Sequence, residues 1–361
     1  MTKTILRLTL SGALLVLTGI MVLAANFLTP FVFSFYPDLS RGAIKVIAAV
    51  TSVVPIALCE LLVVFLVFWF IFTLVQAIRR ERMVRWLTGV LLSICILVTS
   101  FVGLWGLNYY APPMQERLGL PSRQYTAQEL KEATLYYRDM ANALSAEVER
   151  DESGVMAQYD FSDLAKHAGD GFELLDKFYE CFDGSTVRVK KLLSSPLMGK
   201  IGMTGGFICL TGESCVSTTT HSASMPFTMC HEIGHRMAFA REDEANFAGF
   251  LACAANDRPE FRYSGYYAAF RYCYNALYKA DPQAAGEVWA GVSAAVARDW
   301  NASVEHYESL RSETASDVTD AVYDTYLKSF SVESGVQSYG EVTDLLLDWY
   351  FGKDSFFREF G

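Results

Sequence analysis

His231 and His235 flank Glu232 in the stretch Thr228-Met229-Cys230-His231-Glu232-Ile233-Gly234-His235. On a helix, residues four apart share one face. Two imidazoles placed so can grip a single Zn²⁺, and the Glu between them can reach a metal-bound water. The chain has only five His, and chance would give this pattern roughly 0.005 times at such a composition. The plainer reading is a partly buried helix whose imidazoles bond to neighbours.

A catalytic zinc takes three protein ligands and leaves one position for water. The next candidates stand in Arg241-Glu242-Asp243-Glu244-Ala245-Asn246-Phe247. Glu242 is the expected third ligand, with Glu244 and Asp243 as competitors. A straight helix would carry Glu242 about 10 Å beyond His235, too far to share an ion. The chain must therefore leave the first helix between residues 236 and 241 and turn back, and no Gly eases that turn. If Glu242 faces the first helix, so does Asn246, which could then hold a histidine ring or a backbone group from behind. Phe247, Phe250 and Leu251 would face the core. Cys230 points about 100 degrees away from His231 and reads as core.

H-E-x-x-H with a downstream Glu resembles the thermolysin-like Glu-zincins, although Asn246 stands where many of them have Asp. The whole chain resembles more closely a bacterial membrane-anchored family known as domain of unknown function 3810. The residues that carry this are 105–110 (Trp-Gly-Leu-Asn-Tyr-Tyr), Gly205-Gly206-Phe207, Thr211-Gly212-Glu213, Pro226-Phe227-Thr228, 230–250, and Ser338-Tyr339-Gly340 followed by Val342 and three Leu. The resemblance implies a zincin-like α+β peptidase fold and brings no substrate with it. It draws Tyr339 forward as a second electrophile beside the metal, against a packing role. It also places Glu213 near a sheet above the metal helix, for contact with a substrate amine or the metal's surroundings, or as a plain turn carboxylate.

These groups need a scaffold, and the front of the chain is apolar. The protein has 361 residues, 52% of them hydrophobic, and a positive mean hydropathy. Apolar runs predict three transmembrane helices at about 8–25, 54–77 and 87–107. A cleaved signal peptide competes for the first, but Phe27, Phe31, Phe33 and Phe35 follow it where a polar sequel should be. Residues 44–54 read as an interfacial or bent entry. Glu60, costly in lipid, belongs near the outer end or against another helix. Arg79, Arg80, Arg82 and Arg85 crowd one short loop, and Lys3 and Arg7 lie at the N-terminus; both favour the cytoplasm. Residues 1–108 are then a multi-pass anchor in a bacterial plasma membrane, and 109–361 an extracytoplasmic domain.

Of the 30 Lys and Arg, eight precede residue 109, as do three of the 40 acids, which leaves the remainder at a net charge of −15. Such a surface repels phosphates and argues against nucleic acid as a partner. Of the eight Cys, Cys209 with Cys215 and Cys253 with Cys273 are possible disulfides if the domain lies outside. His167, His221 and His306 read as ordinary loop or solvated residues.

A mostly helical domain with a small sheet is predicted. Thr126 to Glu129 is a capping box that opens a helix to about 148. Further helices are expected at 161–178, 227–239, 242–255, 263–279, 284–297, 313–330 and after 341. Glycines at 202, 205, 206 and 212 punctuate short strands around 207–210 and 214–220.

The expected function is zinc-dependent hydrolysis of a peptide or protein. Zn²⁺ would rest on His231, His235 and Glu242, with Glu232 as general base and Tyr339 helping to hold the oxyanion. The alternative is a catalytically silent, membrane-anchored zinc domain that binds a protein or cell-envelope partner. Intramembrane proteolysis fits poorly, because the motif lies more than a hundred residues beyond the last span.

Overall fold

The computed structural model describes residues 2–121, 123–312 and 341–352. The anchor runs α1 (Thr2–Phe27), α2 (Thr29–Val32), α3 (Tyr36–Ser52), α4 (Leu58–Arg79) and α5 (Met83–Leu104). Three of these helices, Lys3–Phe27, Leu58–Arg79 and Met83–Leu104, are long and apolar enough to cross a membrane. The second starts later than expected, because Pro55 lacks an N–H and the chain is extended at Ala57 before it coils. The third ends earlier. Trp105, Leu107 and Tyr109 are buried, and the turn Gly106–Tyr110 carries them into the domain. The 44–54 entry is part of a regular helix, α3.

Arg7 donates through Nη1 to the Arg85 carbonyl, so the N-terminus and the Arg-rich α4–α5 turn share one end of the helices. The domain lies at the other end.

The domain continues with α6 (Met114–Leu118), α7 (Ala127–Leu144), α8 (Phe161–His167), α9 (Asp170–Leu175), α10 (Ser195–Lys200), α11 (Met225–Arg236), α12 (Glu242–Ala254), α13 (Pro259–Ala280), α14 (Pro282–Trp289), α15 (Ala294–Leu310) and α16 (Glu341–Phe351). The capping box forms as written, with Thr126 and Glu129 each accepting from the other's backbone N–H. The single helices expected at 161–178 and 284–297 are each broken in two. The 313–330 helix and Tyr339 fall outside the described residues.

α7, α11, α12 and α13 surround one aromatic core in which Tyr137, Phe172, Phe250, Phe261, Tyr263 and Phe270 are buried. Several of their rings meet edge to face, as Tyr137 does with Phe250 and Phe250 with Tyr266.

β1 (Lys190–Lys191), β2 (Gly205–Ile208) and β3 (Glu213–Val216) form one sheet in the order β1-β3-β2. β1 runs parallel to β3, and β2 antiparallel with Gly205 opposite Val216 and Ile208 opposite Glu213. The hairpin turn uses Gly212 at φ +63, a region that costs a side chain energy. A Cβ there would also meet Ala48 N at 2.8 Å.

Neither expected disulfide forms, and all eight cysteines are free. Cys209 packs with Ile44 and Trp105, whereas Cys215 faces Cys59 at 3.8 Å, so the hairpin sends the two thiols to different clusters. Cys253 pairs with Cys230 rather than Cys273.

Candidate metal centre

α11 begins at Met225 with Pro226 in its first turn, where a missing N–H costs nothing. No side chain of its own caps this end. Instead Ser264 of α13 accepts from Phe227 N at 3.0 Å and donates to the Ala223 carbonyl at 2.7 Å. From the sheet, Ser214 Oγ donates to the Glu232 carbonyl at 2.7 Å. The metal-motif helix is thus fixed on two sides.

The turn from α11 to α12 solves the problem that the missing Gly posed. Ala238 takes the left-handed conformation at φ +69, which ends the helix as a C-terminal Gly usually does. Its amide bonds the His235 carbonyl at 3.0 Å, and Phe239 N bonds the Gly234 carbonyl at 3.2 Å. The reversed chain places the Phe239 carbonyl 2.8 Å from His235 Nδ1. That bond holds the proton on Nδ1 and leaves the Nε2 lone pair for a metal.

α12 then returns along α11 at close range. A Cβ on Gly249 would meet His231 N at 3.0 Å, and one on Gly234 would meet Ala245 O at 3.1 Å. This close approach brings Glu242 under both imidazoles. Gly249→Val is expected to wedge the helices apart, costing about 1–3 kcal/mol and lowering zinc content, which thermal unfolding and metal analysis would read together. An unchanged melting temperature and metal content would remove the close approach from the argument.

His231 Nε2 lies 3.4 Å from Glu242 Oε2, and His235 Nε2 lies 3.4 Å from Glu242 Oε1. Charge-assisted hydrogen bonds are shorter, about 2.7–2.9 Å. Donors about 2.05 Å from a shared tetrahedral ion would stand roughly 3.3 Å apart. The spacing would suit ligands around an ion, and one donor atom from each of the three residues falls within 4.8 Å of the others. His231 Nδ1 is buried without a bonding partner among the described residues.

The charges of these groups act on one another. Burial works against the His235 imidazolium, but Glu242, with Glu232 and the Phe239 carbonyl, outweighs it and lifts His235 to about 9. Burial likewise disfavours the Glu242 carboxylate, yet the two imidazoles hold its pKa well below the ordinary value. Glu232 goes the other way. Its pKa is raised, chiefly by burial, and Oε2 has no bonding partner among the described residues. A Cβ on Gly205 would fall 2.5 Å from Glu232 Oε1, so only a glycine lets β2 run beside this carboxylate.

Of the competing acids, Glu244 is used elsewhere. Glu244 accepts from Met114 N at 2.9 Å and Arg117 Nη2 at 2.7 Å and is bonded to Arg241. Its burial would raise its pKa, but the two guanidinium groups hold it low. Asn246 is buried, yet its amide nitrogen reaches no partner among the described residues, so the expected bond to a ligand histidine is not made.

Glu213 is far from the expected role. It pairs with Lys190 and accepts from Leu58 N at 3.0 Å and Cys59 N at 2.8 Å, which caps the second apolar helix. Glu60 does lie at the domain end, where it accepts from Leu193 N at 2.7 Å and Ser194 N at 2.8 Å.

His167 is half-buried between Asp163 and Asp170. His306 Nε2 meets the Thr219 carbonyl at 2.6 Å. His221 is in a loop but buried, against His306, and burial lowers it to about 4.

Two neighbours of the site went unassigned in the sequence. Trp105 Nε1 donates to the His235 carbonyl at 3.0 Å, with the two rings 6.1 Å apart. Tyr272 packs on Phe227, one turn before His231. Trp105 stood in the family pattern; nothing in the spacing of Tyr272 sets it apart from the other tyrosines of α13.

The described residues therefore define a mostly helical protein with three helices able to cross a membrane and a largely buried His-His-Glu cluster beside a small sheet. The chain belongs to the family described as protein of unknown function (DUF3810), whose model matches residues 35–347. No curated protein and no solved structure gives a match.

Proposed function

We propose that the protein is a membrane-anchored zinc peptidase of the Glu-zincin type. The observation that carries this is the placement of two Nε2 atoms, each 3.4 Å from a different oxygen of Glu242, with the uncommitted carboxylate of Glu232 next to them. His231, His235 and Glu242 would hold the ion. When bound, zinc acidifies water and polarises a carbonyl.

Glu232 would take a proton from the attacking water and return it to the leaving amine. β2 is an edge strand, so an extended chain could add to it by backbone pairing. Gly205 would carry that chain past the Glu232 carboxylate. On the basic-end geometry, the domain belongs on the extracytoplasmic side of the plasma membrane.

Metal analysis of the full chain in detergent tests the reading. One zinc per chain is expected, and His235→Ala and Glu242→Ala should each lose it, whereas Glu244→Ala should keep it. Absence of zinc from folded wild-type protein, after growth with zinc supplied, would refute the assignment.

A further inference from the structure

The domain is acidic, but one stretch is not. Residues 184–212 contain Arg188, Lys190, Lys191 and Lys200 and no acid. Lys190 is buried with Glu213; the other three are exposed. The same stretch holds exposed apolar side chains: Leu193 and Leu197 at 57%, Met203 at 38%, Ile208 at 40% and Leu210 at 36%. These are five of the nine large apolar residues exposed beyond the third span among the described residues.

This patch is continuous with the anchor. Leu193 N and Ser194 N bond Glu60 in the first turn of α4. Thr51 Oγ1 of α3 donates to the Thr211 carbonyl at 2.9 Å. The outer face of α3 adds Val46 and Val50, and Val53 follows at its C-terminal cap, all exposed. An apolar rim with interspersed cations, joined to the end of a spanning helix, has the chemistry of a surface lying in the headgroup layer.

We propose that the rim formed by Leu193, Leu197, Met203, Ile208 and Leu210 is seated in the lipid interface of the leaflet on the domain's side, so that the metal centre takes chains themselves held at that membrane surface. The first half stands on the surface alone; the second rests on the hydrolytic reading. The site is close enough. Trp105, which ends the third span, has its indole 6.1 Å from the His235 ring and packs on Phe207 of β2. Ile208 ends the strand that would receive a substrate. A chain paired to β2 would thus run along the lipid surface, where a membrane-held sequence is already concentrated.

The test uses the full chain in vesicles of phosphatidylcholine with phosphatidylglycerol. Bimane is attached at Leu197→Cys, Leu210→Cys or, as a control, Tyr278→Cys, which is exposed on α13, a helix packed mainly on α7, α12 and α14 of the domain. The wild-type chain taken through the same labelling gives the background from native cysteines. Nitroxide-labelled lipid should quench the first two several-fold more than the third. Equal quenching at all three positions would overturn the rim.

A second arm compares one peptide sequence, with and without an acyl tail, as substrate in the same vesicles. Cleavage of the acylated form at least about tenfold faster is expected. Equal cleavage overturns the substrate half. Cleavage of neither, with strong quenching at Leu197, upholds the rim and refutes the hydrolytic reading instead.

Discussion

Glu232→Gln should cut turnover by about 10²–10⁴-fold, the span attributed to a positioned general acid–base, while the chain keeps its zinc. The two outcomes separate because Glu232 is not one of the three converging donors. Its side chain is 4% exposed, and Gln fills nearly the same volume without a charge. Burial already disfavours the ionised form there. Removing the charge should therefore leave the melting temperature equal or higher, so lost activity could not be blamed on lost fold. Zinc content, thermal unfolding and peptide turnover on one preparation make the test. Wild-type turnover in this variant would sink the general-base role, and loss of zinc would show that Glu232 serves the metal rather than the water.

The H-E-x-x-H pattern was legible because helical period alone places His231 and His235 on one face. Glu242 was legible only as a choice among three neighbouring acids. Arg117 and Arg241 remove Glu244 from that choice, and Arg117 is more than a hundred residues away in sequence. The reversal at Ala238 was foreseen as a necessity but not as a conformation, since a left-handed alanine carries no signal in composition. The spans were legible from hydropathy. Their attachment to the domain was not. Glu213 read as a substrate-site or turn carboxylate and Glu60 as a charge near the outer end or against another helix, and only the three-dimensional contact shows them receiving backbone N–H groups on both sides of the anchor–domain joint.

That joint gives the second large effect. Glu213→Ala should destabilise the full chain by about 3–5 kcal/mol, the usual loss when one partner of a buried ion pair is removed. Lys190 and Glu213 side chains are 3% and 1% exposed. Without Glu213, the ammonium keeps only the Thr51 and Ile56 carbonyls, at 2.9 and 3.1 Å, and the Leu58 and Cys59 amides lose their acceptor. Lys190→Met should cost less, because the Glu213 carboxylate still receives both amides at a helix N-terminus, where negative charge is favoured. The double variant Lys190→Met/Glu213→Gln should be more stable than Glu213→Ala alone, since no charge is then left unpaired. The pH dependence has a fixed sign. Burial would raise the Glu213 pKa, but Lys190 and the two amides hold it below the ordinary 4.5. A depressed carboxylate pKa makes this contribution fully present above the unfolded value, and it fades as pH falls through the folded one. Thermal unfolding of the three variants in detergent at neutral and acid pH, beside protease cleavage of the 53–57 link between α3 and α4, would read both the order and the sign. If Glu213→Ala melts with the wild type and its link stays protected, the carboxylate does not hold the domain to its anchor, and that role falls to the contacts of Glu60, Trp105 and α3.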